Sequence, residues 1–195
     1  PFVPGIPLTS SGDYKIEISP RISISEEYDD NIFLTKNNKT ADYQTTVSPG
    51  IKLDMESAKT GLALDYEFGW VKYHKNTRND YIRHEGNLQF WQKLARHLTF
   101  HLEDSYTKSD DILAATDQIS PSQRIIPGVL QKYQRNNARA MLEYQFGPKD
   151  HVTAGYMYNI MDNEDPSLED TTEFGPFAGL SYWFNNRNAV ELDYA

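Results

Sequence analysis

The sequence predicts an all-β fold, an antiparallel up-and-down transmembrane β-barrel with about eight to nine strands present. Three observations predict it. Long segments alternate apolar and polar residues, the signature of a strand with one dry and one wet face. The connections between these segments alternate short and long along the chain. Aromatic residues make up 13% of the chain and recur near strand ends on the apolar parity, where interfacial girdles sit in membrane barrels. The clearest segment is TGLALDYEFGWVKY, Thr60–Tyr73. Leu62, Leu64, Tyr66, Phe68 and Trp70 share one face, and Gly61, Ala63, Asp65, Glu67 and Gly69 share the other. A strand in a soluble sheet averages about 5–6 residues, whereas one that crosses a bilayer needs about 9–11.

Composition narrows the function classes. The chain has 195 residues, a mean hydropathy of -0.67 and 24% charged residues. No run approaches the roughly 18 apolar residues of a transmembrane helix. Barrel strands alternate and so average to hydrophilic, which leaves a strand-built membrane wall open. A net charge of -9 argues against a nucleic-acid partner, which calls for a basic patch. The absence of cysteine excludes disulfides, zinc–thiolate sites and thiol catalysis. No secretory leader is visible at Pro1, so one is expected either to have been removed in the mature chain or to lie upstream of this sequence.

Taken in order, residues 1–13 read as an irregular Pro- and Gly-rich lead-in. The first strand spans 14–28, with Tyr14, Ile16, Ile18, Pro20, Ile22 and Ile24 on one face. Pro20 lacks an N–H and points to an edge or a bulge. After a polar loop, the second strand (42–55) carries Tyr43, Val47, Pro49, Ile51 and Leu53 on its apolar face. A tight turn at 56–59 leads to the third strand, Thr60–Tyr73. The fourth (80–94) and fifth (98–108) strands meet at a turn over 95–97. The connection at 109–132, with Asp110, Asp111, Pro121, Pro127 and Gly128, is the longest. Connections of that length are usually functional or disordered. The sixth (133–146) and seventh (150–161) strands flank the Gly147-Pro148-Lys149 turn, and an acidic loop follows. The eighth strand covers 172–184, and a ninth begins with Val190, Leu192 and Tyr194. It stops without the aromatic C-terminal residue of a finished barrel, so the barrel is expected to be partial and to continue beyond residue 195.

The faces suggest which side is wet. The polar parity carries Glu17, Asp54, Asp65, Glu67, Glu85, Glu103 and Glu143 beside Lys15, Arg21, Lys52, Arg83, Lys93, Arg135 and Arg139. Near-balanced signs allow neighbours in a confined lumen to pair. Asp65, Glu67, Arg83, Glu85, Arg135, Arg139 and Glu143 are therefore the expected lumen lining. The three arginines could hold an anionic polysaccharide or a phosphate, or could simply pair with Glu85 and Glu143. A mixed lumen implies weak ion selectivity or a plug.

Two motifs carry a resemblance. ISISEEYDDNIF (22–33) and DYQTTVSPGIKL (42–53) resemble the first two strands of the outer-membrane β-barrel porin family of Gram-negative bacteria. Tyr28, Asp29, Asp30 and Asn31 form its strand-to-loop signature. The resemblance implies a bacterial outer-membrane location, the outer-membrane lipid bilayer as partner, and a porin or export conduit. It also implies an association with surface-polysaccharide export and no catalytic residues.

The remaining candidates are weighed on chemistry. Asp29, Asp30 and Asn31 could ligate a hard cation, or their side chains could cap the strand end through backbone N–H groups. Asp162, Glu164 and Asp165 admit the same two readings. His101, Glu103 and Ser105 share a face, but residues two apart on a strand sit about 6.5–7 Å apart, too far for a triad, and no G-x-S-x-G elbow occurs. His74, His84, His97 and His151 show no metal-ligand spacing. No enzyme activity, cofactor or metal is expected. The function read from the sequence is a passive pore or export conduit for small solutes or surface polysaccharide. The rivals are a barrel sheath or anchor for a protein partner in a secretion or electron-transfer complex, and a soluble β-rich carbohydrate-binding domain.

Overall fold

Alternation with period two can bury or expose a whole face only if the strand is extended and its neighbours are in matching register. The computed structural model meets both conditions. It describes residues 6–7, 14–109, 132–164, 166 and 168–195. The strands are β1 (Ile6–Pro7), β2 (Lys15–Asp29), β3 (Asp42–Glu56), β4 (Thr60–Tyr73) and β5 (Tyr81–Ala95). They continue as β6 (Leu98–Ser109), β7 (Tyr133–Gln145), β8 (His151–Asn163), β9 (Thr171–Trp183) and β10 (Ala189–Tyr194). A short 3-10 turn, Thr77–Asn79, is the one helical element among the described residues.

All ten strands form a single sheet in sequence order, each antiparallel to the next. β1 and β10 are not paired with each other, so the sheet is open. Connections at one end are short: 57–59, 96–97, 146–150 and 184–188. Those at the other end, 30–41, 74–80, 110–132 and 164–170, are longer. The expected segregation of loops is present. Residues 110–131 and Asp165, and with them Asp110, Asp111, Pro121, Pro127 and Gly128, lie outside the described residues. The lead-in expected to be irregular contributes β1, whose Ile6 and Pro7 pair with Ile18 and Glu17. Beyond Ile18 that side of β2 is a free edge among the described residues, which is where Pro20 sits. Pro49, also without an N–H, falls where the β3–β4 ladder lapses between Val47 and Gly50.

Register keeps the faces intact across the sheet. Ile18, Leu53, Leu64 and Leu88 form one cross-strand row. Phe90, Leu102, Ala140 and Tyr156 form another. Burial separates the faces in an unusual direction. Every buried strand residue among those described lies on the charged parity: Thr46, Ser48, Val71, Tyr73, Ser109, Tyr133, Met161, Phe177 and Ser181 among them. The exposed large apolar residues of the strands, Ile22, Ile24, Tyr66, Trp70, Tyr156, Phe174 and Leu192 among them, lie on the other. With no second layer packed on the sheet among the described residues, burial of the charged face requires that the sheet curl towards it. Asn87 on β5 and Ala195 after β10 line one cleft, although five strand spacings of about 4.8 Å would separate them in a flat sheet.

Candidate functional site: the charged inner face

The inner face divides into two regions. On β2–β5 a chain of ion pairs crosses the strands. The Arg21 guanidinium donates to both carboxylate oxygens of Asp65, at 2.6 and 2.9 Å, and to Glu67 at 3.3 Å. Glu67 also accepts from Arg83 Nη2 at 3.4 Å, and Arg83 Nε lies 3.3 Å from Glu85. Lys52 meets Asp54 at 2.9 Å. Arg21 is on β2 and Asp65 on β4, so the side chain passes over β3 at Gly50. A Cβ there would stand 2.8 Å from Arg21 Nε. Gly69 makes similar room for Arg83, whose Cβ and Nε would lie 3.2 Å from an added Cβ. Each pair is half-exposed, so each contributes modestly. Together they set two cations among three carboxylates in one connected chain.

Of the seven residues expected to share a lining, Asp65, Glu67, Arg83 and Glu85 are joined in this chain. Arg135, Arg139 and Glu143 stand on the same face on β7 but make no ion pair with one another among the described residues. Arg139 instead lays its guanidinium over the Phe177 ring, 3.9 Å from the centroid, a cation–π contact. Arg135 reaches the Met161 sulfur at 3.6 Å and stacks over Tyr133 at 5.8 Å. Pairing with Glu85 is therefore present for Arg83, and aromatic stacking takes its place for Arg139.

The second region is an open cleft of about 550 Å³ lined by Asn87, Gln89, Glu103, Ser105, Asn137, Arg139, Asn159 and Phe177. Its walls carry four uncharged amides, Asn87, Gln89, Asn137 and Asn159, beside Glu103, Asp104 and Arg139, which make no ion pair among the described residues. Ser105 Oγ accepts from Asn137 Nδ2 at 3.3 Å, and His101 Nε2 is buried without a hydrogen-bond partner among the described residues. His101 and Ser105 are thus not joined to each other.

The strand-to-loop signature is used as a cap. The Asn31 N–H donates to Asp29 Oδ1 at 2.8 Å, and the Asn31 side chain brackets Thr35, accepting from its N–H at 3.0 Å and donating to its carbonyl at 2.9 Å. Asp30 pairs with Lys39 at 3.7 Å, and the Tyr28 ring packs on Tyr43 at 4.9 Å. In the acidic loop, Asp162 accepts from Gln134 at 3.1 Å and Glu164 meets Lys108 at 3.5 Å. Among the described residues no three His, Asp or Glu side chains converge as metal ligands would.

This cap turns the 30–41 loop inward. Ile32 is buried with Val71 and Tyr73, and Phe33 and Tyr81 pack against them. Val71, Tyr73 and Tyr81 have the charged-face parity, so the loop covers part of the inner face at its long-loop end. Two carboxylates anchor the neighbouring connection. Asp42 accepts from the N–H groups of Tyr43, Lys75 and Asn76 and from Asn76 Nδ2 at 2.7–3.2 Å. Asp80 accepts from Lys72 Nζ at 2.7 Å and the Tyr73 N–H at 2.9 Å. Burial pushes the Asp80 carboxyl up, but the hydrogen bonds from Lys72 and Tyr73 outweigh it and hold the group below its ordinary value.

The outer face has its own order. Phe146 stacks on Tyr182 at 6.5 Å, and Tyr182 meets Phe184 edge-on at 5.0 Å, at the short-turn end. Tyr28, Tyr43 and Trp70 stand towards the opposite end. Lys72, which follows Trp70 on the same face, lies 5.2 Å from its ring centroid.

No protein-family model, curated protein or solved structure matches the chain.

Proposed function

We propose that this sheet is a section of the wall of an outer-membrane β-barrel that acts as a passive pore or export conduit. One observation carries the reading: the exposed face is apolar and the charged face is concave. A soluble sheet does the reverse, because its stability comes from taking apolar area out of water. Contiguous exposed apolar patches on soluble monomers rarely exceed a few hundred Å², and here large exposed apolar residues stand on eight of the ten strands, β2–β5 and β7–β10.

Dimensions support the same reading. On β4 the outward residues run apolar from Leu62 to Trp70 and turn cationic at Lys72. Eight steps of about 3.3 Å, tilted by about 40°, approach the roughly 25 Å apolar band of outer-membrane barrels. Transport would be passive, through a lumen lined by ion pairs on one side and amides on the other, narrowed at its long-loop end by Ile32 and Phe33.

Detergent dependence together with heat-modifiable gel mobility tests the membrane wall. Both are expected, and a monodisperse species in plain buffer would refute it. Conductance in a planar bilayer tests the pore. Detergent-dependent protein without conductance, recovered with a bound protein, would instead favour a sheath around a partner.

A further inference from the structure

The two halves of the inner face treat their polar groups differently. On β2–β5 the charges satisfy one another through Arg21, Asp65, Glu67 and Arg83. On β5–β8 they do not. Asn87, Ser105, Asn137 and Asn159 follow one another in a single cross-strand row. Asn137 donates to Ser105 Oγ, but the side chains of Asn87 and Asn159 make no hydrogen bond among the described residues. In the next row Glu103 and Arg139 stand directly opposite each other. Opposite charges so placed stabilise a sheet by pairing, yet these two form no ion pair. Arg139 is drawn onto the Phe177 ring instead. Its N–H groups and the Glu103 carboxylate both stay open to the cleft that they line. Beyond Met157 the same row ends at Gly175, where an added Cβ would meet nothing within 4 Å. The inner face is bare at that point, whereas Gly50 and Gly155 each have a side chain lying over them.

We infer that this cleft is a binding subsite of the lumen for a neutral, hydroxyl-rich saccharide, an inference that rests on the conduit reading above. A hydroxyl group donates and accepts at once. Neighbouring hydroxyls of one sugar ring can therefore accept from Arg139 and donate to Glu103, satisfying two opposite charges that do not satisfy each other. The amides of Asn87 and Asn159 each offer a donor and an acceptor as well, and hydroxyls match both. An anion would match Arg139 alone. The cleft sets two carboxylates, Glu103 and Asp104, against that one guanidinium, so a phosphate or a uronate chain meets repulsion there. This reverses the anionic ligand that the arginines alone suggest. The volume of about 550 Å³ falls within the roughly 300–1,000 Å³ of small-molecule sites, room for a short oligosaccharide.

Calorimetric titration of the detergent-solubilised protein tests the subsite without relying on conductance. The neutral probes are maltohexaose, mannohexaose and xylohexaose, and the anionic probe is an oligogalacturonate of the same length. Saturable binding of at least one neutral probe is expected, with the anionic one at least about tenfold weaker, the scale of one lost charge-assisted hydrogen bond. Arg139→Met and Asn159→Leu are each expected to weaken the neutral probe about tenfold while keeping heat-modifiable mobility. The comparison of probes on the wild type needs no variant to fold. Binding of none of the neutral probes, tighter binding of the oligogalacturonate, or unchanged affinity in both variants would overturn the subsite. A protein that conducts in a planar bilayer yet binds none of the neutral probes would lose the subsite and keep the conduit. A protein monodisperse in plain buffer that binds a neutral probe would lose the conduit, and with it the subsite's place in a lumen.

Discussion

Arg21 holds Asp65 from two strands away, its guanidinium lying over Gly50 and meeting both carboxylate oxygens at 2.6 and 2.9 Å. The intervening strand takes part only by lacking a side chain at one position. Gly50→Val is expected to displace Arg21 and to destabilise the fold by roughly 1–3 kcal/mol, the usual cost of overpacking. Unfolding by urea in detergent, followed by gel mobility, measures it. An unchanged midpoint would mean that Arg21 is not held over β3.

Neutralising the same cation tests the pore. Arg21→Met removes a positive charge from an inner face that already carries Asp65, Glu67 and Glu85. Reversal potentials in a salt gradient are expected to shift towards cation selectivity. An unchanged reversal potential would place this face away from the conduction path.

The outer face gives the sharpest contrast between membrane and soluble readings. Leu64 stands in the middle of the apolar row on β4. Leu64→Arg is expected to destabilise the inserted protein by about 2–4 kcal/mol if it lies near the bilayer midplane. On a water-facing surface the same change would cost little and would aid solubility, and that outcome would count against the wall.

Acid should loosen the 74–80 connection through Asp80. Its carboxyl is held below the ordinary value, so the unfolded chain takes up the proton first as pH falls. The stability it contributes is present in full above the unfolded value, about 3.9, and is lost as pH drops through the lower folded value. Asp80→Asn is expected to cost about 1.5 kcal/mol at neutral pH, the scale of hydrogen bonds to a charged group. The gap between wild type and variant should close as pH falls below about 4. A gap independent of pH would sink the assignment.

Ile32 is the contact that folds the 30–41 loop inward. Ile32→Ala leaves a void against Val71 and Tyr73, and a loss of about 2 kcal/mol is expected, the low end for such truncations. Because the loop and not the sheet loses its anchor, limited proteolysis within 30–41 should accelerate while the strands remain protected. Single-channel conductance should rise if the loop narrows the lumen.

Strand parity was readable from the sequence because it repeats every second residue and needs no partner to be seen. The faces assigned to Ile16, Leu53, Leu64, Phe90 and Tyr156 are those the register shows. What local pattern could not carry was contact at long separation. Val71 and Tyr73 continue β4 on the charged parity, and only the inward fold of Ile32 explains why they are apolar. Arg139 had Glu143 as its obvious neighbour on the same strand face, yet its stacking partner Phe177 is two strands away. Gly155, on the intervening strand β8, marks the place. A Cβ there would stand 2.8 Å from Met141 Cβ and would collide with the Phe177 ring. The Pro-rich start hid β1, since two residues are too few to show a period.

The inverted faces bear on how such a chain travels. Read residue by residue it is hydrophilic, with a mean hydropathy of -0.67, and no segment is greasy enough to halt in a channel that sorts helices. Its oily surface comes into being only when strands pair and all the outward side chains line up. On the membrane-wall reading, the chain passes through water as an ordinary polar polymer and acquires its affinity for an apolar medium at the moment of folding.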